Sequence, residues 1–170
     1  MGTLIRMARK GDAKGVVAFW NDAFKGGHLK YTGTNRLRDK EDIRRYEKRY
    51  SEKNRNNFVF IAINSEGKIV GSCFFGCINS GRLRHRGEAG WSVHQNYSGK
   101  GIGTLLLEAT LKEAKRREFK RVEAEAAVEN IASVRLAKKL GFKIEGRKKA
   151  GMLLDDGKYI DTYIFGKILR

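Results

Sequence analysis

The sequence predicts a single α/β (α+β) domain whose mixed, mostly antiparallel central sheet has about seven strands flanked by about four helices. Three observations predict it. The 170-residue chain, 41% hydrophobic, is long enough to enclose one sizeable core and too short for two ordinary domains. Short runs rich in β-branched and aromatic residues alternate with segments of helical spacing. Antiparallel hairpin signals stand towards both ends, with no internal repeat, low-complexity tract or linker between them.

Residues 3–8 alternate as a first strand, and Asp12 then caps a helix in which Val16, Val17, Phe19, Trp20 and Phe24 follow helical spacing. Residues 26–38, rich in Gly, Thr and Asn, read as a loop, and Asp39 opens a strongly charged helix to about residue 53. This loop and helix are candidates for acceptor contact. Residues 58–63 and 69–79 flank the turn Asn64-Ser65-Glu66-Gly67-Lys68 as a hairpin. A strand is expected over residues 83–93, a long helix over 101–117, a strand over 121–128 and a helix over 131–140. Two terminal strands flank Asp155-Asp156-Gly157.

Composition removes several classes. No apolar run approaches the ~18 to 20 residues that cross a bilayer, and Met1-Gly2-Thr3-Leu4-Ile5-Arg6 enters an alternating pattern rather than a signal-peptide core. A cytoplasmic protein with no membrane partner is expected. Cys73 and Cys77 are too close along one expected strand for an unstrained mutual disulfide and read as small buried hydrophobes. A metal site would need them to converge with His28, His85 or His94, none of which has ligand spacing, so no metal is expected. The net charge of +17, from 36 Lys and Arg against 19 Asp and Glu, attracts polyanions. Much of it coats solvated faces, as at residues 44–49 and 115–117, but an acidic partner, nucleic acid or the ribosome stays open.

The most informative segment is residues 91–107, read as strand, glycine loop and helix. Gly99, Gly101 and Gly103 remove side chains where backbone amides must crowd round an anion, and the following helix offers unpaired N–H groups and its dipole. Ile102, Leu105, Leu106, Leu107, Ala109, Leu111 and Ala114 give that helix a broad apolar stripe to clamp it on the sheet. A phosphate or pyrophosphate suits such a loop. No Gly-Lys pair is followed by Ser or Thr, and neither Gly99 nor Gly101 starts a complete GxGxxG, so the Walker and Rossmann readings fail.

Ser98-Gly99-Lys100-Gly101-Ile102-Gly103 resembles the acetyl-CoA motif of the GNAT acyltransferases, Arg/Gln-x-x-Gly-x-Gly/Ala, with Ser98 in place of the leading residue. A second block, Asn130 to Gly146, is similar to that family's Asn-x-x-Ser/Ala helix ending in Lys-x-Gly-Phe and followed by Glu-Gly. The segment Asp156-Gly157-Lys158-Tyr159-Ile160-Asp161 resembles a hairpin of the ribosomal-protein N-terminal, phosphinothricin-type and polyamine branches, and the likeness spans residues 3–169. The resemblance implies acetyl-CoA as co-substrate, with Gly99, Lys100, Gly101, Ile102, Gly103 and Thr104 on the pyrophosphate. Trp91, Ser92 and Val93 would run beside the pantetheine arm, and Asn130 would reach its amides. Physically, Asn130 and Gly141 also read as plain helix punctuation, a side-chain cap and a left-handed stop. The resemblance further implies an amine acceptor, either a protein N-terminus or lysine or a small amine, and a possible homodimer.

An alkyl ammonium near pKa ~10 must lose a proton before its nitrogen attacks a thioester, and a carboxylate is an economical base. Glu88 and Glu125 occupy positions that resemble those of family bases, with Glu88 preferred. Strict alternation puts Glu123 and Glu125 on one face of their strand. An ordinary surface ion pair is the competing reading for each. The amide of Val93 is the expected oxyanion donor. Many relatives carry a tyrosine that protonates the leaving thiolate where this chain has Ala137, so Ser133 is the expected replacement. The Ser98 and Ala137 departures keep a noncatalytic acyl-CoA-binding domain as the alternative.

Overall fold

The computed structural model describes residues 2–26, 30–32, 36–51, 56–78 and 81–170. Parts of the expected loop over residues 26–38, the last turn of the second expected helix and residue 79 lie outside them. The described elements run β1 (Leu4–Met7), α1 (Ala13–Lys25), α2 (Lys40–Ser51), β2 (Asn57–Ile63), β3 (Ile69–Cys77), β4 (Arg86–Val93), α3 (Ile102–Arg116), β5 (Arg121–Ala127), α4 (Ile131–Lys139), β6 (Lys143–Leu153) and β7 (Tyr159–Ile168). They build one seven-stranded sheet in the order β1-β2-β3-β4-β5-β7-β6. Every neighbouring pair is antiparallel except β4 with β5.

Alternation along β2 explains how the sheet carries helices on both faces. Phe58 and Ala62 join the main core beneath α3 and α4, whereas Val59 and Ile61 pack with Val16 and Trp20 of α1 and Tyr46 and Tyr50 of α2. The main core centres on Phe75, Leu106, Leu107, Val122 and Phe165, with Phe75 stacked on Phe58 at 4.9 Å. Leu105, expected in the apolar stripe of α3, instead points outward and is 47% exposed, and buried Thr110 takes a place on that face by donating to the Leu106 carbonyl.

Helix ends follow local chemistry, with one correction. Asp39 accepts from the Asp42 amide at 3.0 Å while the Asp42 carboxylate accepts from the Asp39 amide at 3.1 Å, a reciprocal cap on α2. Asp12 stands at the start of α1 but makes no side-chain cap, because its carboxylate turns back to Arg6 and the Arg9 amide. Gly141, at φ +81°, stops α4, with Phe142 N–H reaching the Ala137 carbonyl at 3.0 Å. The fourth strand starts at Arg86 because residues 81–83 form a short 3₁₀ turn. Cys73 is buried as expected and its thiol is pushed up to about 12 by burial, whereas Cys77 is only half-buried.

Candidate active site

β4 and β5 pair only from Arg86, Gly87 and Glu88 to Arg121, Val122 and Glu123. Beyond Glu88 the two parallel strands separate, and β4 continues to Val93 on β3 alone. The edge of β4 that faces β5 is therefore left without ladder partners just before the glycine loop. The resulting open cleft, about 1070 Å³, runs past both strand ends.

The loop itself is held from three sides. His94 starts a 3₁₀ turn over Gln95–Tyr97, accepting at Nδ1 from the Asn96 amide and meeting Asp22 of α1 through Nε2 at 3.0 Å. The Tyr97 hydroxyl accepts from the Asn64 side chain at 2.8 Å, and Asn64 in turn accepts from the amides of Glu66 and Lys68 in the β2–β3 turn. Gly99 and Gly101 take left-handed φ values of +75° and +80°, which lets the chain reverse directly into α3. The first amides of α3 have no intrahelical acceptor and sit at the positive end of a 15-residue helix, beside the cleft. Gly103 does different work: a Cβ there would stand 3.1 Å from Leu136, so its smallness lets α3 approach α4.

Of the residues singled out from sequence, Glu88, Trp91, Ser92, Val93, Gly99, Gly101, Ile102, Gly103, Thr104, Glu125, Asn130 and Ser133 all line this cleft. Lys100 does not. Its ammonium folds back to the Asn96 carbonyl at 3.0 Å and over the Tyr97 ring. Asn130 Oδ1 caps α4 by accepting from the Ser133 amide at 3.2 Å, so only its Nδ2 is left to face the cleft. Ala137 is fully buried in the main core, one turn beyond Ser133, and is not part of the cleft wall.

The two candidate bases differ in environment. Glu125 accepts from the Thr162 hydroxyl and from the Lys148 ammonium, each at 2.5 Å. Burial opposes its charge, but these two donors outweigh burial and hold the carboxyl below its usual range. Glu88 is exposed, and among the described residues its carboxylate has no hydrogen bond or ion pair. Glu123 is tied up between Arg86 and Arg121. No cluster of His, Cys, Asp and Glu able to hold a metal forms among the described residues, and His28 lies outside them.

The far wall of the cleft draws largely on the loop and charged helix that the sequence marks as candidates for substrate contact. Trp20, Tyr31, Arg38, Tyr46, Arg49, Tyr50 and Phe74 line it, brought together from α1, α2, β3 and the intervening loop. Burial raises the Tyr50 hydroxyl well above the ordinary phenol range, so it stays protonated. In that charged helix Tyr46 and Tyr50, four residues apart, stack at 6.1 Å.

A sheet split next to a left-handed glycine turn and a helix start defines an α/β fold with a cleft suited to an anionic ligand. A model of the acetyltransferase (GNAT) domain matches residues 3–143. The N-acetyltransferase p20 of Bacillus licheniformis is 24% identical over 164 residues, covering 94% of this chain and 88% of that one. An acetyltransferase of the GNAT family from Streptococcus pneumoniae superposes with TM-score 0.88 at 28% identity, covering 99% of this chain and all of that one. The structure of yncA from Salmonella typhimurium with its cofactor acetyl-CoA gives TM-score 0.85 at 26% identity, with 100% and 95% covered. The chain belongs to the GNAT acetyltransferase family. It is an acetyl-CoA-dependent N-acetyltransferase that acts on an amine.

Proposed function

We propose that the glycine turn and the start of α3 grip the pyrophosphate of acetyl-CoA, and that Glu88 activates the acceptor amine for direct attack on the thioester. The observation that carries this reading is the split of β4 from β5 immediately before two left-handed glycines. The amides of residues 101–104 then serve as anion donors. Trp91, Ser92 and Val93 lie beside the pantetheine arm, and Asn130 Nδ2 donates to one of its carbonyls. Lys100 contributes charge near the pyrophosphate rather than a wall contact.

Glu88, free of internal donors, accepts a proton from the ammonium directly or through a water. The amine nitrogen then bonds to the acetyl carbon, and the Val93 amide holds the oxygen as it gains charge. When the carbon–sulfur bond breaks, the nitrogen gives up its second proton to solvent, and Ser133 supplies a proton to the thiolate and recovers one from solvent. Glu125, already committed to Lys148 and Thr162, stays charged and draws the acceptor ammonium into the cleft. Both cysteines are free thiols, which suits a reducing cytoplasm.

Calorimetry with acetyl-CoA, followed by thiol release over a panel of amines, tests the reading. Uptake of one acetyl-CoA per chain and amine-dependent thiol release are expected. No uptake, or uptake that G101V leaves unchanged, overturns it.

A further inference from the structure

The same wall contains a half-buried guanidinium with one buried nitrogen left unpaired among the described residues. The Arg38 guanidinium lies 4.3 Å over the Trp20 ring, and its Nε donates to the Tyr46 hydroxyl at 3.0 Å. Its backbone is fixed as well, because the Asn21 side-chain amide accepts from Arg38 N–H at 2.7 Å and donates to Arg38 C=O at 2.9 Å. Arg38 Nη1 is nonetheless buried without a hydrogen-bond partner among the described residues. A guanidinium is charged at every working pH, so this open position keeps its desolvation cost until an acceptor arrives. A planar fork stacked on an indole and steered by a phenol is preorganised for a carboxylate.

Its placement suits the acceptor. Val59, Phe74 and Gly90 stand opposite one another across β2, β3 and β4, and the Trp20 platform packs over Val59. The Arg38 side thus lies about two strand spacings, ~10 Å, along the sheet from the edge of β4 where transfer takes place. Arg49 adds a second guanidinium to the same wall, while Glu88 and Glu125 supply negative charge at the other end of the cleft. The polarity is that of a molecule with an ammonium at one end and an anion at the other.

We infer that Arg38, supported by Arg49, binds the carboxylate of the acceptor, and that the acceptor is a small amino acid or amino-acid analogue. This inference rests on the acetyl-transfer reading above. It makes Arg38 a specificity-determining residue, while acetyl-CoA binding is left to the glycine turn.

The experiment compares matched probes with the full-length protein: L-methionine, L-methioninamide and 3-(methylthio)propylamine, with L-phenylalanine, L-phenylalaninamide and phenethylamine, and with 6-aminohexanoate against hexylamine. Each acid is expected to exceed its uncharged partner in kcat/KM by roughly 10- to 100-fold in at least one series. R38M is expected to bring that ratio close to one, and R38K to restore only part of it, because lysine lacks the fork. Acetyl-CoA affinity is expected to stay unchanged in both. A ratio is independent of how much variant folds, and the wild-type ratio alone decides the matter if R38M fails to fold. Equal rates for acid and amide, no turnover of any acid by protein that binds acetyl-CoA, or an R38M ratio equal to wild type overturns the inference. Failure to bind acetyl-CoA at all would instead remove the reading on which it rests.

Discussion

The Cα of Gly103 lies so close to Leu136 that a single added carbon would stand 3.1 Å from the leucine Cδ2. This contact joins the start of α3, whose first amides have no intrahelical acceptor, to the face of α4 that carries Ser133. The two helices therefore set one another's position over the cleft.

G103V should overpack this junction. Extra carbons in a packed interior cost about 1–3 kcal/mol, and here the strain is delivered where the loop meets its helix. We expect a lower Tm together with at least tenfold weaker acetyl-CoA binding by calorimetry. An unchanged Kd in a folded G103V would mean that the two helices move independently.

At Gly101 the requirement is conformational. A Cβ there meets nothing within 4 Å, so only the left-handed φ of +80° opposes a side chain. G101A should cost about 1–2 kcal/mol, which is roughly 2–8 °C in Tm for a domain of this size. Gly99, at φ +75° and equally open, should behave alike, and a melting series over both variants checks it.

E88Q should lower kcat by about 10²–10³-fold in a thiol-release assay, with acetyl-CoA affinity intact. E125Q should lower it by less, since that carboxylate, held by Lys148 and Thr162, attracts the ammonium but takes no proton from it. The low-pH limb of the kcat/KM profile should also stay in place in E125Q, because a carboxyl held below its usual range is ionised throughout that limb. Equal losses in both variants would remove Glu88 from the role of base.

What the sequence made legible were the features written in local chemistry. The start of a helix at Asp39, the stop at Gly141 and the hairpin of β2 and β3 are each decided by neighbours a few residues away. The glycine turn was legible in the spacing of Gly99 and Gly101, but the separate role of Gly103 was not, since Leu136 reaches it from another helix. Asp12 was misjudged for the same reason: Arg6, on the preceding strand, outbids the helix amides for its carboxylate. Arg38 was marked only as the end of a candidate contact loop, because its setting depends on Trp20 and Tyr46 converging from two helices.

Asp161 gives a prediction for acid. It sits at the irregularity between Lys148 and Met152 in β6, where Ala150 takes a left-handed φ of +50°. Its carboxylate accepts from the Ala150 amide at 3.0 Å and from Arg147 at 2.7 Å, and meets Lys149 at 3.1 Å. The Ala150 amide first, then Lys149 and Arg147, bring its pKa down to about 2 from an ordinary 3.8. A group whose folded-state pKa is depressed stabilises the fold above its unfolded value and loses that contribution as pH falls through the folded one. The Tm difference between wild type and D161N should therefore be full above about pH 4 and shrink as pH falls to about 2. The other depressed carboxyls, such as Asp42 and Glu113, titrate in both proteins and cancel in the difference. A difference that stays constant across that window would show that the bulge at Ala150 is held by the hydrogen bond alone, with no part played by the charge.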